Sequence, residues 1–561
     1  MRILFYCHRF NSLSQRLYCE LTERGHEVSI ELDVHPDLMI EAAEIYKPDL
    51  VIVPFLKRKV PSDVFNRFPT LIIHPGPPGD RGPSALDWAI FRGETLWGVT
   101  LLEAVEEYDA GDIWAYRTFP LRFSKKSSIY RNETTEAAVE CVLEVLETFP
   151  DGIRKFTPKD KIWNPLMSEE TRRINWELDS TNDILRKIYS ADSQPGALAK
   201  ILDMEFYLFN AYPEDYFKGK PGDILAVRDE AICIGTKDAA IWVTHLRKKE
   251  KNSIKLPALR VIGNMLNHVK EEPIKPWEIV DFRTYRELIY EEKNEIGFIF
   301  FNFYNGAMST EQCERLLEII KFAKKRPIKA IVLLGQEDFF SNGMNLNTIE
   351  NAESPADESW RNINAIDDVC EEILRTLDKL TVAGLQGNAG AGGVYLALTC
   401  DLIFAREGVI LNPHYKNIGN LYGSEFWTYT LPKRLGWEKG REIMGNRMPI
   451  SSRRALELGL IDGVFGKTPK EFRILLVEKL TKIVKTSEFE SFLRKKREER
   501  LRDEAIKPLT QYRNEELEMM RINFYGFDTS YHIARYYFVR RIPPFRTPPY
   551  LAIHRRLDFK L

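Results

Sequence analysis

The stretch Thr70–Thr100, TLIIHPGPPGDRGPSALDWAIFRGETLWGVT, leaves the chain few ways to fold. Three apolar residues that favour strands, Leu71-Ile72-Ile73, run into His74, and proline and glycine dominate Pro75–Gly82. Proline cannot donate to a sheet ladder and breaks a helix interior, so the strand must stop at His74. A helix-like segment, Ser84–Phe91, and a second strand start, Gly98-Val99-Thr100, come next. A histidine at the carboxyl end of a buried strand, facing a glycine-rich loop, stands where open α/β sheets place their ligands.

The residues before it repeat one pattern. Apolar runs at Arg2–Tyr6, Glu27–Leu32 and Leu50–Pro54 alternate with amphipathic segments at Ser12–Arg24, Pro36–Tyr46 and Val60–Arg67. Strands alternating with helices predict a parallel, doubly wound sheet. The turn after the first strand reads CHRFNS and has no GxGxxG, which argues against a dinucleotide site.

Composition narrows the function classes. A net charge of −2 gives no broad footprint for nucleic acid. Cys7, Cys19, Cys141, Cys233, Cys313, Cys370 and Cys400 lie far apart, with neither a CxxC pair nor a Cys/His cluster. That spacing fits reduced thiols in a cytoplasm rather than a disulfide framework or a metal site. The start, MRILFYCHRF, has no signal-peptide layout, and no apolar run approaches the roughly 18 residues of a membrane span. The expectation is a cytoplasmic chain acting on small molecules, without metal, membrane or nucleic acid.

His74-Pro75-Gly76, Arg81-Gly82-Pro83, Trp88-Ala89-Ile90, Gly93, Gly98-Val99-Thr100 and Asp109-x-Gly111-Asp112-Ile113 occur in an order that resembles the folate-dependent formyltransferases. The resemblance implies a Rossmann-like domain over residues 1–165, with 10-formyl-tetrahydrofolate as formyl donor. It places His74 and Asp109 as catalytic residues, and Arg9, Gly76, Arg81, Gly82 and Asp112 as cofactor-binding ones. The chemistry suits these residue types. Formyl transfer passes through a tetrahedral carbon bearing an oxyanion; His74 can hydrogen-bond that oxygen or move the acceptor's proton, and Asp109 can orient the ring. One position departs from the family, which has Asn where this chain has Ile72. Loss of such a donor costs about 2.7–4 kcal/mol of barrier. Either a backbone group replaces it, or the acceptor is easier than an amine, as a thiol would be.

Residues 166–275 hold a helix-like segment, Thr171–Ser190, and short strands with turn signals, KGKPGD, VRDEA and GTKDAA. Short strands of this kind predict a small β-barrel. The run from Lys220 to Ile241 resembles the OB-like C-terminal domain of methionyl-tRNA formyltransferases.

Strands and helices restart near Tyr285. FSNGMNL (Phe340–Leu346), GNAGAGGVYLALTCD (Gly387–Asp401) and Ala455–Asp462 resemble, in order, the crotonase superfamily of enoyl-CoA hydratases and isomerases. The resemblance implies a crotonase fold over 276–485, followed by a helical tail over 486–561, with coenzyme A bound. In that family two backbone N–H groups grip a thioester carbonyl; by motif they belong here to Met344 and Gly392. Ser341, Asn342, Gly343 and Gly393 fall in the same two loops. The family's two water-activating glutamates are absent: their places fall at Tyr395 and near Tyr415. A thioester-polarising pocket remains, with Tyr395, Tyr415 and Glu425 as candidate bases and His414 and Tyr422 beside them. In the aromatic, arginine-rich tail, Arg521, Arg535, Arg540 and Arg541 are candidates for the phosphates of coenzyme A.

The two halves together resemble a family of hydrogenase maturation factors. That resemblance implies a formyltransferase joined to a CoA-dependent decarbonylase: formyl moves from 10-formyl-tetrahydrofolate to coenzyme A, and formyl-CoA then releases CO for the iron of a nickel–iron hydrogenase. The hydrogenase large subunit or other maturation proteins would be partners. Two alternatives stay open, a formyltransferase acting on a tRNA or sugar nucleotide with an accessory acyl-CoA domain, and a non-catalytic scaffold binding folate and CoA.

Overall fold

The protein is described by a computed structural model covering residues 1–150, 155–266 and 269–559. It divides into two compact units. The amino-terminal unit holds Met1–Glu272, Phe282–Tyr285 and Pro543–Leu561; the carboxy-terminal unit holds Pro273–Asp281 and Arg286–Ile542.

The first sheet of the amino-terminal unit has the strand order Glu27–Leu32, Arg2–Cys7, Leu50–Phe55, Thr70–His74, Leu96–Glu103, Ile113–Pro120. The first four strands are parallel, as the alternating pattern predicts. The last two pairings are antiparallel, with Leu96–Glu103 the reversed strand, so the sheet is mixed rather than wholly parallel. The cause lies after His74. The chain turns back through the helix Ala85–Arg92, and Leu96–Glu103 then runs down beside the strand it has just left. His74 therefore ends the last parallel strand, paired across to Thr100.

The following sheet runs Ile224–Arg228, Ala231–Gly235, Ala240–Lys248, Met204–Glu214, Ala197–Ile201. Among the described residues its edge strands do not pair with each other, so the barrel expected over 166–275 is an open antiparallel sheet. Other segments occupy both edges. Val227 exchanges backbone hydrogen bonds with Lys270 and Glu272, and Ile174 N–H donates to Leu198 O at 2.8 Å. Covered edges remove the need for closure. The helix expected over Thr171–Ser190 is only Thr181–Ala191. Ser180 and Asp183 form a reciprocal capping box, which fixes the start ten residues later than hydrophobic spacing alone suggests.

The edge strand Glu27–Leu32 is covered by the end of the chain. Glu31, fully buried, receives Arg555 and His554 at 3.0 Å each and the Thr547 hydroxyl at 2.7 Å. Unpaired backbone on an edge strand invites association, and this segment masks it, with Ile30 N–H donating to Leu551 O.

In the carboxy-terminal unit the main sheet runs Leu288–Lys293, Ile296–Phe301, Ala330–Leu334, Leu380–Leu385, Leu402–Ala405, Gly463–Val464. A smaller sheet aligns Phe339–Ser341, Asn388–Gly390, Ile410–Asn412 and Ile450–Ser451. It gathers the sequence motifs: FSNGM, GNAG and LNPHY leave from three neighbouring parallel strands. The tail is helical over Phe489–Ile506, Leu509–Tyr525 and Ser530–Arg540. The first of these buries only Phe489, Leu493 and Arg500, a solvated helix. The second drives Glu516, Leu517, Met520 and Phe524 into the core.

Candidate functional site

Two clusters carry chemistry, one in each unit. In the first, His74 is 4% exposed and lies between two carboxylates. Its Nε2 faces Asp80 Oδ2 at 2.7 Å, and its Nδ1 faces Asp109 Oδ1 at 3.6 Å. Burial pushes the imidazolium down, but the Asp80 hydrogen bond and the charges of Asp109 and Asp80 outweigh it, so the ring holds its proton above its ordinary pKa.

The Pro/Gly loop makes this packing fit. A Cβ on Gly76 would lie 2.3 Å from Asp80 Oδ2 and 2.7 Å from His74 Nε2. Gly82, at φ +110°, lets its N–H reach Asp109 Oδ2 at 3.0 Å. Arg81 holds the Asp109 loop through Tyr108 O, at 2.6 Å, and through Glu107. Asp109 itself has φ +50°, a left-handed backbone that costs about 1–3 kcal/mol in a non-glycine residue and clusters at functional sites.

Sequence reading missed two members of this cluster, Asp80 and Asn164. The Asn164 amide Nδ2 donates to Asp80 Oδ1, and Asn164 is 1% exposed. It arrives because Asp80–Arg81 pairs with Ile162–Trp163 in a two-stranded ribbon. Ile72 packs its side chain beside Leu4, Val51 and Val53. An amide is thus present near His74, supplied from far along the chain and acting on Asp80. The Asp112 carboxylate accepts from Thr157, and Arg9 is exposed on the loop after the first strand.

In the second unit the two motif loops touch. A Cβ on Gly343, at φ +74°, would lie 3.2 Å from Gly392 N, and one on Gly393 would lie 1.9 Å from Ser341 O. Only glycine permits this approach, which sets the peptides of Met344 and Gly392 side by side. Gly392 opens the helix Gly392–Leu398, so its N–H has no acceptor within that helix. Ala391, just before it, is held at φ +47°. Ser341 and Asn342 brace the loop: the Ser341 hydroxyl donates to Gly306 O at 3.3 Å, and the Asn342 amide donates to Asn305 O at 2.8 Å.

Glu425 meets this pair of loops. A Cβ on Gly392 would lie 2.1 Å from Glu425 Oε1, and Tyr415 O–H lies 2.5 Å from Glu425 Oε2. Tyr415 stacks on Tyr395 with ring centres 5.0 Å apart, and Tyr395 O–H donates to Pro413 O at 2.8 Å. Glu425 is 1% exposed; burial first and the charge of Asp367 second raise its pKa to about 8. Glu425 and Phe426 are consecutive left-handed residues, at φ +62° and +60°, a strain of about 1–3 kcal/mol each. Two more buried carboxylates, Asp367 and Glu516, lie within hydrogen-bond reach of this turn. Neither stands out in the sequence.

His414 is buried, its pKa pushed down to about 4 by burial and by Arg447. Of the tail arginines, Arg535 is committed to Glu350 at 2.9 Å and Arg521 to Glu518 at 2.8 Å. Arg540 lies 4.0 Å from Glu350, and Arg541 ends the helix Ser530–Arg540 at φ +58°. Among the described residues no group of His, Cys, Asp and Glu could hold a metal ion, and no helix is long and apolar enough to cross a membrane.

Comparison with known proteins matches families to the segments that hold both clusters. The family "Formyl transferase" matches residues 11–146, "Formyl transferase, C-terminal domain" matches 166–259, and "Enoyl-CoA hydratase/isomerase" matches 293–529. A methionyl-tRNA formyltransferase of Thermotoga neapolitana is 28% identical over 232 residues, 39% of this chain and 72% of that one. The crystal structure of HypX from Aquifex aeolicus in complex with tetrahydrofolic acid is 72% identical, covers 100% of both chains and superposes with a TM-score of 0.98. The hydrogenase maturation factor HoxX of Bradyrhizobium diazoefficiens is 45% identical over 562 residues, 99% of this chain and 97% of that one. With formyltransferase and enoyl-CoA hydratase/isomerase families matched in one chain, and relatives of this similarity along its whole length, the protein belongs to the HypX/HoxX family of hydrogenase maturation factors.

Proposed function

We propose that this chain makes carbon monoxide in two steps, with 10-formyl-tetrahydrofolate and coenzyme A as substrates. In the first step the CoA sulfur attacks the formyl carbon and the bond to the folate nitrogen breaks. Formyl-CoA and tetrahydrofolate result. His74, its proton affinity raised beside Asp80 and Asp109, stabilises the tetrahedral oxyanion and hands a proton to the departing nitrogen, and the proton the thiol loses on attack returns to the ring. The relative from Aquifex aeolicus, crystallised with tetrahydrofolic acid, supports the folate part of this reading.

In the second step the backbone N–H groups of Met344 and Gly392 polarise the formyl C=O. A formyl group has no α-carbon, so no enolate can form. Glu425 takes the formyl proton, the C–S bond breaks with its electron pair on sulfur, and CO leaves. The same proton then passes from Glu425 to the thiolate, which regenerates CoA. One observation carries this step: the Glu425 carboxyl rests against Gly392, with a pKa raised to about 8. That matches a thiol, whose ordinary pKa is about 8.5, so the proton can travel both ways with little loss. Tyr415 orients the carboxyl and Tyr395 supports Tyr415 by stacking. The CO would serve the iron of a nickel–iron hydrogenase in the cytoplasm, with the hydrogenase large subunit or another maturation protein as recipient.

The test uses 10-formyl-tetrahydrofolate carrying carbon-13 in the formyl group. The expected result is labelled CO trapped on reduced haem, formed only when CoA is present. Labelled CO without CoA, or labelled formate alone, overturns the proposal. Formyl transfer to a tRNA or sugar nucleotide at the expense of CoA would favour the alternative shared with the methionyl-tRNA formyltransferases.

A further inference from the structure

Glu425 cannot hold its position by its own conformational preference. It and Phe426 form a left-handed pair that side chains disfavour, and both of their N–H groups are buried. Each N–H is taken by a carboxylate from a different helix. Glu425 N–H donates to Asp367 Oδ1 at 2.8 Å, from the helix Pro355–Leu374. Phe426 N–H donates to Glu516 Oε2 at 2.9 Å, from the helix Leu509–Tyr525. The second oxygens are used as well: Asp367 Oδ2 accepts from the Ser424 hydroxyl at 2.7 Å, and Glu516 Oε1 from Thr428 N–H at 2.8 Å. Both acids are 0% exposed.

We propose that Asp367 and Glu516 are positioning residues of the CO-releasing step, gripping the two peptide N–H groups of the Glu425–Phe426 turn so that the Glu425 carboxyl stays against Gly392. This rests on the assignment of Glu425 as the base. Both oxygens of each acid accept here, and an amide has a single accepting oxygen, so asparagine or glutamine could keep only one side of each grip. Asp367 also places negative charge beside Glu425. Burial first, and the Asp367 charge second, favour the protonated form of Glu425 and bring its proton affinity to that of a thiol. The other groups facing Glu425 are neutral or close to it: Tyr415 on its own loop, Tyr395 on the helix Gly392–Leu398, Cys313 on Thr310–Lys324 and Cys370 on Pro355–Leu374. Arg513 is the cation that bears on Asp367, and it is shared with Asp368 and Glu371.

The experiment follows CO release from supplied formyl-CoA by the full chain, across pH. In the wild-type protein the rate rises with pH as Glu425 loses its proton. Asp367→Asn keeps an acceptor and removes the charge; the rising limb is expected to move to lower pH. Asp367→Ala removes the acceptor too, and kcat is expected to fall at every pH by about 10²-fold, the scale for a displaced catalytic group. Glu516→Gln leaves one accepting oxygen for the two N–H groups of Phe426 and Thr428, and kcat is expected to fall at every pH without moving the limb. If the Asp367→Asn and Glu516→Gln profiles both superimpose on the wild type, the inference is overturned. Glu425→Gln separates the two claims: if it still releases CO, the assignment of the base falls first, whatever the other variants do. Should Asp367→Ala fail to fold, the two charge-removing variants decide alone.

Discussion

His74 and Glu425 are both buried, and burial disfavours the charged form of each. Their surroundings decide the outcome in opposite directions. His74 sits between two carboxylates of opposite sign to its own charge, and keeps its proton beyond its ordinary range. Glu425 sits among carboxyls of its own sign, with no cation in direct contact among the described residues, and also keeps its proton, now as a neutral acid. In the proposed transfer, the raised proton affinity of His74 favours the charged ring that would meet an oxyanion. The second site maintains a neutral acid whose proton leaves near the pH at which a thiol loses its own. One device, a carboxylate placed beside a buried titrating group, raises the proton affinity of a histidine in one unit and of a carboxyl in the other.

The sharpest break in this comparison is Glu425→Gln. It is expected to lower CO release from formyl-CoA by about 10²–10⁴-fold, the usual worth of a positioned general base, while loss of 10-formyl-tetrahydrofolate in the presence of CoA continues and formyl-CoA accumulates. His74→Ala is its mirror image: about 10²–10⁴-fold slower formyl transfer, with CO release from supplied formyl-CoA unchanged. Asp80→Asn tests whether the His74 site depends on the partner that sequence reading missed. The His74 titration, followed by NMR of labelled histidine against a His74→Ala control, is expected to move to lower pH. Formyl transfer then declines from a lower pH than in the wild type. An unmoved titration would leave Asp109 as the group that sets the charge.

The smallest effect is on stability, and its sign distinguishes the two sites. Glu425 titrates at about 8 when folded, against an ordinary value of about 4.3 when unfolded. Between these values the folded chain holds a proton that the unfolded chain releases, so this group's contribution is fully present below pH 4.3 and is lost as pH rises through 8. Glu425→Gln should therefore be the more stable protein at pH 8, with the difference shrinking toward pH 5 in denaturant melts. His74 is raised as well, so its contribution is present below the ordinary histidine value and fades above its folded one. Removing it should destabilise the protein most at low pH.

Much of both sites is legible in the amino-acid sequence. His74, Gly76, Gly82 and Asp109 stand close together along the chain, and the fold packs them within one loop system. Met344, Gly392 and Glu425 lie in three separate segments, yet each carries a local signal: a glycine-rich turn, or an acid among aromatic residues. The open sheet in place of a barrel is not legible, because strand periodicity does not say what covers an edge. Lys270–Glu272 and Ile174 cover those edges here.

What the sequence determined by itself is where backbone could come close. Glycines at 76, 82, 392 and 393 mark points at which a Cβ would collide with a neighbouring atom, Gly343 adds a left-handed turn at φ +74°, and these points outline both clusters. What only the tertiary structure decided is which acids face them. In RNEELEM, Glu515, Glu516 and Glu518 look alike. Glu515 pairs with Lys507 and Glu518 with Arg521 at the surface, while Glu516 is fully buried against Phe426 and Thr428. Burial is a property of what packs around a helix, and that partner, the turn at Glu425, lies 90 residues away in the chain.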